Sequence, residues 1–566
     1  MTVTTSYPGV YIQELPSLVH SITPAPTSVA VFVGYTHPFA TPPANYLTAI
    51  QLFSFADYQA NFGGFFYSPW LPDYVGQAVY QFFLNGGPTC YVVGLPAREY
   101  YEEGQPIPPS LGPVEVTPAS VTVPGGGITF TARQPVGTPA LAATPSSPAT
   151  PAVGLQMQVV ISNLQASTPS NPNDTADIVI SYGSTVETYR KVQIASLAPT
   201  SPPQPPAPLQ NSSLVTVSLS EPPPAEYPSA GSPYSLVYEV PPGENWTVIE
   251  TLDFAPVFAE YASLDKVPVF NLLATPGITA SSVTSEAVAY CERKRAFYIM
   301  DTPSPSLPPP PLTTPPTAPA PLQPDPAWNV NSLVGDVAAT LSEKFPVSIN
   351  AAVYYPWLMT TDPVTGAAST APPSGFVAGM YGQEDNARGI WKSPAGIETA
   401  LLGTTGVDPN GLMNDSQQGV FNQNALDCLR QFPGIGTVIF GARTTAGADA
   451  NTSQQQWKYI AVRRMALFIE QTLYANLTWA VFEGNSTPLW NALTQEVTAF
   501  MLSLFRQGAF AGSTPSQAFV VQCDATTTTP ADVANGIVNI LVGFAPLVPA
   551  EFVVVQIAQL AGQAQS

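Results

Sequence analysis

Charged residues are scarce in this sequence. They make up 10% of the 566 residues, whereas about a quarter is usual in soluble proteins. Hydrophobic residues are present at an ordinary 45%. A surface with so few charges must be neutral and polar, or it must be covered by other subunits. Both situations fit an extracellular or assembled particle better than a free cytosolic enzyme.

Basic residues are especially few. Seventeen Lys and Arg stand against 38 Asp and Glu, which gives a formal net charge of −21. A chain this acidic is repelled by phosphate backbones and anionic lipids, so we expect no direct nucleic-acid partner. The first basic residue is Arg98. The N-terminus therefore lacks the positive region of a signal peptide, and we expect no export by the general secretory route.

The residues that usually carry catalysis or metal binding are also few. The only two histidines are His20 and His37, and the four cysteines form no C-x-x-C pair. No P-loop and no H-E-x-x-H pair occurs. We therefore predict no enzyme, no catalytic, cofactor or metal site, and buried free thiols. The sequence does not decide whether two of the cysteines form a disulfide. A secreted hydrolase is the alternative function, because two carboxylates distant in sequence can meet in space.

No uninterrupted hydrophobic run is long enough for a membrane span. The nearest candidate, residues 536–562, is broken by Pro546, Pro549 and Glu551. Its Val and Ile content is more typical of two β-strands around a proline corner. We expect no membrane insertion of this chain.

Strands and helices alternate over two parts of the chain. Residues 28–100 contain the apolar run SVAVFVG, a helical pattern over residues 74–87 and a further apolar run, CYVVGL. Residues 246–545 continue the alternation. They include a helical pattern over NSLVGDVAATLSEKF, two long helical patterns at 457–479 and 488–508, and the strand patterns AFVVQCD and IVNILVGFA. This order predicts an α/β (mixed α+β) core with a parallel or mixed sheet. The proline-rich tract 302–326 is predicted to be a surface loop.

Residues 101–245 differ in composition from these two parts. They are rich in Pro, Ser, Thr and Gly, with short β-rich islands such as LQMQVVISNL and ADIVISYGSTVETYRKVQI. Short strands separated by turn residues are typical of a small all-β module. We interpret this segment as an inserted domain on the outer surface.

Both ends of the chain contain an apolar strand with no evident partner. The stretch YPGVYIQELP, residues 7–16, is separated from the next strand candidate by SLVHSITPAPT, which lacks a hairpin turn. The last apolar run is EFVVVQIAQ. Unpaired strands expose backbone donors and acceptors. We therefore predict an N-terminal arm with a flexible linker over residues 1–27 and a C-terminal arm over residues 546–566.

A few charged residues are clustered. In an acidic chain, clustered arginines can form structural ion pairs or contact acidic neighbouring subunits, and the sequence favours the second interpretation more than usual. The predicted core or intersubunit ion-pair residues are Asp385, Arg388, Arg443, Arg463 and Arg464.

Several stretches together resemble the contractile tail sheath proteins of phages and bacterial contractile injection systems. They cover about residues 7–100 and 250–560 in the order of the family: PGVYIQELPS, AVYQFFLNGGPTCYVV, LLATPG, YCERKRAFYIMD, PPSGFVAGMYGQEDNARGIWKSPAG, LRQFPGIGTVIFGARTT, WKYIAVRRMALFIEQTLYANLTWAVFEGNSTPLW and PAEFVVVQIAQ.

The resemblance implies a structural sheath subunit. Such subunits form stacked, six-fold rings around an inner tube and contract to drive the tube through an envelope. Partners would be other copies, the tube protein, and baseplate and terminator proteins. Assembly would occur in the bacterial cytoplasm, and the particle could be released. The strands predicted to pair with neighbouring subunits contain Val10, Tyr11, Ile12, Gln13, Phe552, Val553, Val554 and Val555.

Two other structural roles share these features. A baseplate component or a tail terminator could have the same arms and core, but would form a single ring rather than a tube. Self-assembly into long cylinders separates the sheath from both of these and from a hydrolase.

Overall fold

The computed structural model describes residues 21–68, 71–96, 98–101, 114–115, 118–123, 128–137, 154–165, 175–193, 208–219, 233–236, 244–246, 250–306 and 326–554. The chain divides into two compact units. Unit 1 comprises residues 1–26, 388–392 and 461–566, and unit 2 comprises residues 27–387 and 393–460. The predicted core of residues 246–545 is thus shared between both units, and the sequence-based domain scheme stays a prediction.

The described residues contain the following strands: β1 (Val29–Tyr35), β2 (Ile50–Leu52), β3 (Thr89–Leu95), β4 (Arg98–Tyr101), β5 (Val114–Glu115), β6 (Ser120–Thr122), β7 (Ile128–Ala132), β8 (Met157–Gln165), β9 (Thr175–Tyr182), β10 (Thr185–Gln193), β11 (Val215–Leu219), β12 (Pro233–Leu236), β13 (Glu244–Trp246), β14 (Leu272–Ala274), β15 (Phe297–Asp301), β16 (Ala351–Tyr355), β17 (Leu358–Thr361), β18 (Ala368–Ala371), β19 (Gly406–Val407), β20 (Leu426–Phe432), β21 (Gly436–Ile439), β22 (Phe519–Gln522) and β23 (Leu541–Phe544).

The helices of the same residues are α1 (Phe55–Phe62), α2 (Tyr74–Leu84), α3 (Glu250–Phe258), α4 (Ser281–Lys294), α5 (Val330–Leu333), α6 (Val337–Lys344), α7 (Ser374–Arg388), α8 (Asp415–Gln423), α9 (Ile460–Asn476), α10 (Thr487–Arg506), α11 (Pro515–Ala518) and α12 (Pro530–Ala534). None of them is long and apolar enough to cross a membrane.

Unit 2 is built around an eight-stranded sheet. Its order is β2-β3-β1-β14-β15-β16-β20-β21. The six central strands run parallel to one another, and β2 and β21 are antiparallel at the two edges. All residues of β1, β15 and β16 are buried, as expected for parallel strands covered on both faces. The predicted mixed α/β core is confirmed by this sheet.

Local signals in the sequence explain several helix ends. Ser54 accepts a hydrogen bond from the Asp57 N–H and begins α1, which ends at Gly63 in the left-handed conformation with φ of 85°. One predicted helix differs. The pattern NSLVGDVAATLSEKF forms two helices, α5 and α6, because Gly335 closes a turn onto Ser332 instead of continuing the helix.

The described part of residues 101–245 consists of small antiparallel sheets. One has the order β10-β9-β8-β12 and another the order β11-β7-β6. At the two ends of this segment, β4 pairs with β13, so the chain enters and leaves side by side. The buried residues of these sheets, such as Ile180, belong to the same apolar cluster as Val31 of the large sheet. An outer, inserted position for the segment stays a prediction.

The described part of unit 1 consists mainly of two long helices and one small sheet. The helices are α9 and α10, whose predicted extents agree with those observed, and the sheet consists of β22 and β23. Met465 and Phe468 of α9 pack with Phe500 and Met501 of α10 in one apolar cluster. This small core carries the sheet that is the candidate site.

Candidate assembly surface

The sheet of unit 1 has only two strands among the described residues. β22 and β23 are antiparallel, with Phe519 opposite Phe544 and Gln522 opposite Leu541. An isolated two-stranded sheet is marginally stable in water unless it packs against other elements or gains strands. This sheet therefore depends on the surface behind it.

The sheet has one packed face and one open face. On the open face, Val520 and Leu541 are 49% and 53% exposed. The side chains of the other face alternate with them and pack against the cluster of α9 and α10: Phe519, Val521, Val542 and Phe544. Because side chains alternate between the two faces of a strand, the apolar residues at every second position attach the sheet to the cluster through one face.

In the part of the chain that the structure describes, no further strand pairs with either outer edge of the sheet. The Ala545 N–H donates to the Ala518 carbonyl (2.8 Å), so the alternation of an antiparallel pair turns the backbone groups of Phe519 and Val521 away from β23. The same alternation turns the backbone groups of Val542 and Phe544 in β23 away from β22. Neither strand has a second strand partner within the described residues. Just after the end of β23, the Ala511 N–H donates to the Ala545 carbonyl (2.9 Å).

The C-terminal segment beyond this sheet is apolar and exposed. Phe552, Val553 and Val554 are 75%, 84% and 81% exposed. The proline-corner prediction expected a second strand here, but residues 551–554 form none, because a strand needs a partner for its backbone groups. Val555 lies outside the described residues.

The predicted strand of the N-terminal arm also lies outside the described residues. This applies to Val10, Tyr11, Ile12 and Gln13, and to His20. The pairing of this strand with another subunit stays a prediction.

Arg443 lies inside unit 2. Its side chain is 2% exposed and pairs with Asp449 at 2.9 Å, and it also donates to the Asn422 carbonyl (2.8 Å). Lys458 contacts the same carboxylate at 2.8 Å. The hydrogen bond from Lys458, together with the nearby Arg443, lowers the pKa of Asp449. Arg443 thus forms an internal ion pair.

The two arginines at the start of α9 differ in environment. Arg463 pairs with Glu470 at 3.2 Å on the surface, whereas Arg464 is buried, at 2% exposure. Arg388 is exposed in the last turn of α7, where the helix dipole favours a cation. Contacts of these residues with neighbouring subunits stay predictions.

Asp385 is part of an internal contact of unit 2. It accepts a hydrogen bond from the Ser28 hydroxyl (3.1 Å) at the start of β1. The basic cluster at the end of α4 is likewise engaged internally, since Lys294 and Arg293 approach Asp265 at 2.9 and 3.6 Å. These contacts correspond to the structural interpretation of the clusters.

His37 has a structural environment. The ring is buried, and its Nδ1 accepts hydrogen bonds from the backbone N–H groups of Phe39 and Ala40. The ring proton therefore sits on Nε2, which lies 3.2 Å from the Gln134 Oε1. Burial lowers the pKa of His37 to about 4. Among the described residues, no group of His, Cys, Asp and Glu could hold a metal ion, and all four cysteines are free and buried.

Comparison with known proteins identifies the region that contains the small sheet. Residues 452–559 match the family model described as the phage tail sheath C-terminal domain. Unit 1 thus contains a region similar to the phage tail sheath C-terminal domain. In this region, α9 and α10 support the β22-β23 sheet. The resemblance to the contractile tail sheath family is thereby confirmed.

A sequence relative agrees with this assignment. The chain is 28% identical over 202 residues to a protein of Pseudomonas aeruginosa (strain UCBPP-PA14) that is named as a prophage major tail sheath protein. The match covers 35% of this chain and 48% of the relative, so the chain spans about half the length of that relative. The name of this relative describes a structural protein, and the prediction that this chain is not an enzyme agrees with that name.

Solved sheath structures share the fold over nearly the whole chain. A contracted sheath complex of an extracellular contractile injection system (PVC) has a TM-score of 0.54 and 21% identity, with 99% of both chains covered. The contracted helical sheath of the anti-feeding prophage (AFP) has a TM-score of 0.51 and 20% identity, with 98% of this chain and 100% of that chain covered.

Sequence reasoning did not single out Val520, Leu541 or the open edges of their sheet. Both strands were predicted, but their pairing with each other was not, since β22 and β23 are separated by α12. The only local signal was the alternation in AFVVQCD and NILVGFA.

Proposed function

We propose that this chain is a subunit of a contractile sheath that polymerises as stacked, hexameric rings around an inner tube. The observation that carries the proposal is the β22-β23 sheet. It lies in a tail sheath domain, keeps two open edges among the described residues and is followed by an exposed apolar segment. Such a sheet is suited to accept strands from other chains.

In the proposed contact, the N-terminal and C-terminal arms of neighbouring copies extend this sheet. A strand of four residues adds about four backbone hydrogen bonds, each worth about 1 kcal/mol net. This is modest for one pair of subunits. Repeated at every subunit of a tube, the contacts hold the polymer together while the subunits rearrange.

Contraction in this proposal is a change in the packing of preformed bodies. The proposal requires only that the short state has the more favourable packing and that a trigger releases the first ring. The inner tube and a baseplate would be the other partners. The similar PVC and AFP chains are named as parts of contracted sheath complexes, which supports this role.

A baseplate component is the second candidate. An AFP chain from a baseplate in the contracted state has a TM-score of 0.53 and 22% identity, with 98% of this chain and all of that chain covered. The fold alone is therefore shared by both roles. The form of the assembly distinguishes them, because a baseplate component would stop at a ring.

The experiment is negative-stain electron microscopy of the full-length chain with two matched variants. We expect the unaltered chain to form hollow striated cylinders. Val553→Asp places a charge on the proposed C-terminal arm and should abolish the cylinders, whereas Val186→Asp, at a 59% exposed valine of β10, should leave them intact. Since Val553 is 84% exposed, both variants should melt at the temperature of the unaltered chain.

Each result is decisive for one part of the proposal. Cylinders formed by Val553→Asp as readily as by the unaltered chain would contradict strand addition by the C-terminal arm. Single rings of the unaltered chain would favour the baseplate role.

A further inference from the structure

The segment that connects the predicted N-terminal arm to β1 is bound to a helix of unit 1. Thr23 donates its N–H to the Asn476 Oδ1 (2.9 Å), and the Asn476 Nδ2 donates back to the Thr23 carbonyl (2.9 Å). Two residues on, the Ala25 N–H donates to the Thr472 Oγ1 (3.1 Å). The sequence predicted a flexible linker over these residues. In the structure, the backbone of residues 23–25 is bonded to α9, and the extent and flexibility of the linker stay predictions.

The side chains of α9 and the linker match in spacing. Thr472 and Asn476 are four residues apart and lie on one face of the helix. Asn476 is the last residue of α9, and its second amide hydrogen donates to the Thr472 carbonyl (2.8 Å). This bond fixes the orientation of the amide, so that its oxygen and its other hydrogen face Thr23.

The prolines of the linker limit which of its backbone groups can donate hydrogen bonds. Pro24 and Pro26 have no N–H, so Thr23 and Ala25 hold the only backbone donors of residues 23–26, and both donors are used by α9. Each proline also restricts the preceding residue to an extended conformation, which places the two donors on the same side. Ile22 adds an apolar contact to the cluster of α9 and α10.

We propose that Asn476 and Thr472 form a clamp that fixes the point and direction at which the N-terminal arm leaves its subunit. The two are positioning residues, since they act on the linker and not on the neighbouring subunit. A fixed exit limits which neighbouring copy the arm can reach, and it lowers the entropy lost when the arm binds. The inference rests on the proposed strand addition by the N-terminal arm.

The test compares pairs of full-length variants. Asn476→Ala removes the two-way contact with Thr23, and Thr472→Val removes the hydroxyl without changing the side-chain shape. Thr472→Ser keeps the hydroxyl and is the conservative rescue. Asn424→Ala is the matched control, since the Asn424 Nδ2 donates to the Val420 carbonyl of its own helix (2.9 Å) and Asn424 lies in unit 2.

The first readout is amide hydrogen exchange of the peptide that contains Thr23 and Ala25. We expect exchange there to become at least tenfold faster in Asn476→Ala and Thr472→Val, and to be unchanged in Thr472→Ser and Asn424→Ala. Unchanged exchange in Asn476→Ala would overturn the clamp.

The second readout is the protein concentration at which cylinders form. We expect it to rise about tenfold in Asn476→Ala and Thr472→Val, and to stay at the original value in the rescue and control variants. A chain lacking residues 1–16 is measured in parallel. If this truncation abolishes cylinders while Asn476→Ala, with its faster exchange, assembles normally, the clamp is overturned and strand addition stands. If the truncated chain assembles normally, strand addition by this arm fails, and the clamp inference fails with it.

Discussion

The sheets of unit 1 and unit 2 differ in whether they have inner strands. The large sheet of unit 2 has six parallel inner strands, and its two edge strands are antiparallel. The sheet of unit 1 has two strands, and both of its edges lack a further strand among the described residues. The large sheet thus has six strands paired on both sides, whereas both strands of the small sheet are edge strands among the described residues, and edge strands are the ones that can accept a further strand.

Charge separates the same two units. In unit 1 the acidic and basic residues nearly balance, so almost all of the net charge of −21 lies in unit 2. Like charges on neighbouring copies repel each other. A nearly neutral unit is therefore repelled less by neighbouring copies than an acidic one.

The largest expected effect tests whether the two cores are independent. Phe500→Ala removes a side chain that packs with Phe468 in unit 1, with ring centroids 6.2 Å apart. Phe32→Ala removes a buried aromatic side chain of β1 in unit 2, whose ring centroid lies 5.5 Å from that of Phe82. Each should lower the free energy of unfolding of its own unit by about 4 kcal/mol. Calorimetry should show that each variant lowers a different thermal transition. A single transition lowered by both variants would contradict two separate cores.

The next effect is the pH dependence that His37 gives to the stability of unit 2. His37 is neutral when folded and has a pKa of about 4, whereas its ordinary value is 6.5. The unfolded chain therefore takes up the proton first as the pH falls, so this contribution is complete above pH 6.5 and is lost towards pH 4. The loss amounts to about 3 kcal/mol.

The measurement is urea unfolding of the original chain and His37→Asn at pH 7 and at about pH 4.5. The variant should lose less stability between the two values. Burial raises the pKa of Asp73 and Asp301 to about 7 and about 6, which acts in the opposite direction but cancels in the comparison. Equal pH dependence in both proteins would show that His37 is not held neutral.

The smallest effects compare one ion pair from each unit. Asp449→Asn leaves the buried Arg443 without its carboxylate and should cost about 2 kcal/mol. Glu470→Gln breaks the surface pair with Arg463 and should cost about 0.5 kcal/mol. Chemical denaturation, followed by a signal from each unit, measures the loss in the free energy of unfolding for both variants. A cost for Glu470→Gln equal to that of Asp449→Asn would mean that the pair in unit 1 is as important as the buried one.

Local periodicity explains why much of the fold was predictable. The runs VAVFVGY and FYIMD are apolar throughout and form the buried parallel strands β1 and β15. Pro488 near the start of α10 and Gly508 after its end marked the two ends of this helix within two residues. The helix predicted over NSLVGDVAATLSEKF was wrong as one piece, because Gly335 and Asp336 favour a turn more than the apolar period favours continuation.

The candidate site was predictable only in part. The exposed apolar run at Phe552 is visible in the sequence, since it follows prolines and lacks a neighbouring strand. The sheet next to it is not, because β22 and β23 pair across an intervening helix. Pairing between distant strands depends on which faces the rest of the chain buries, and no local pattern contains that information.

The sequence by itself determined the positions of most strands and helices, the lack of histidine and cysteine motifs, and the resemblance to tail sheath proteins. These follow from residue types and short spacings. Only the tertiary structure decided that β22 and β23 pair with each other and have no further strand among the described residues. It also decided that Arg443 pairs internally and that Thr23 meets Asn476, 453 residues away. Such contacts join residues that the chain brings together only when distant apolar faces pack.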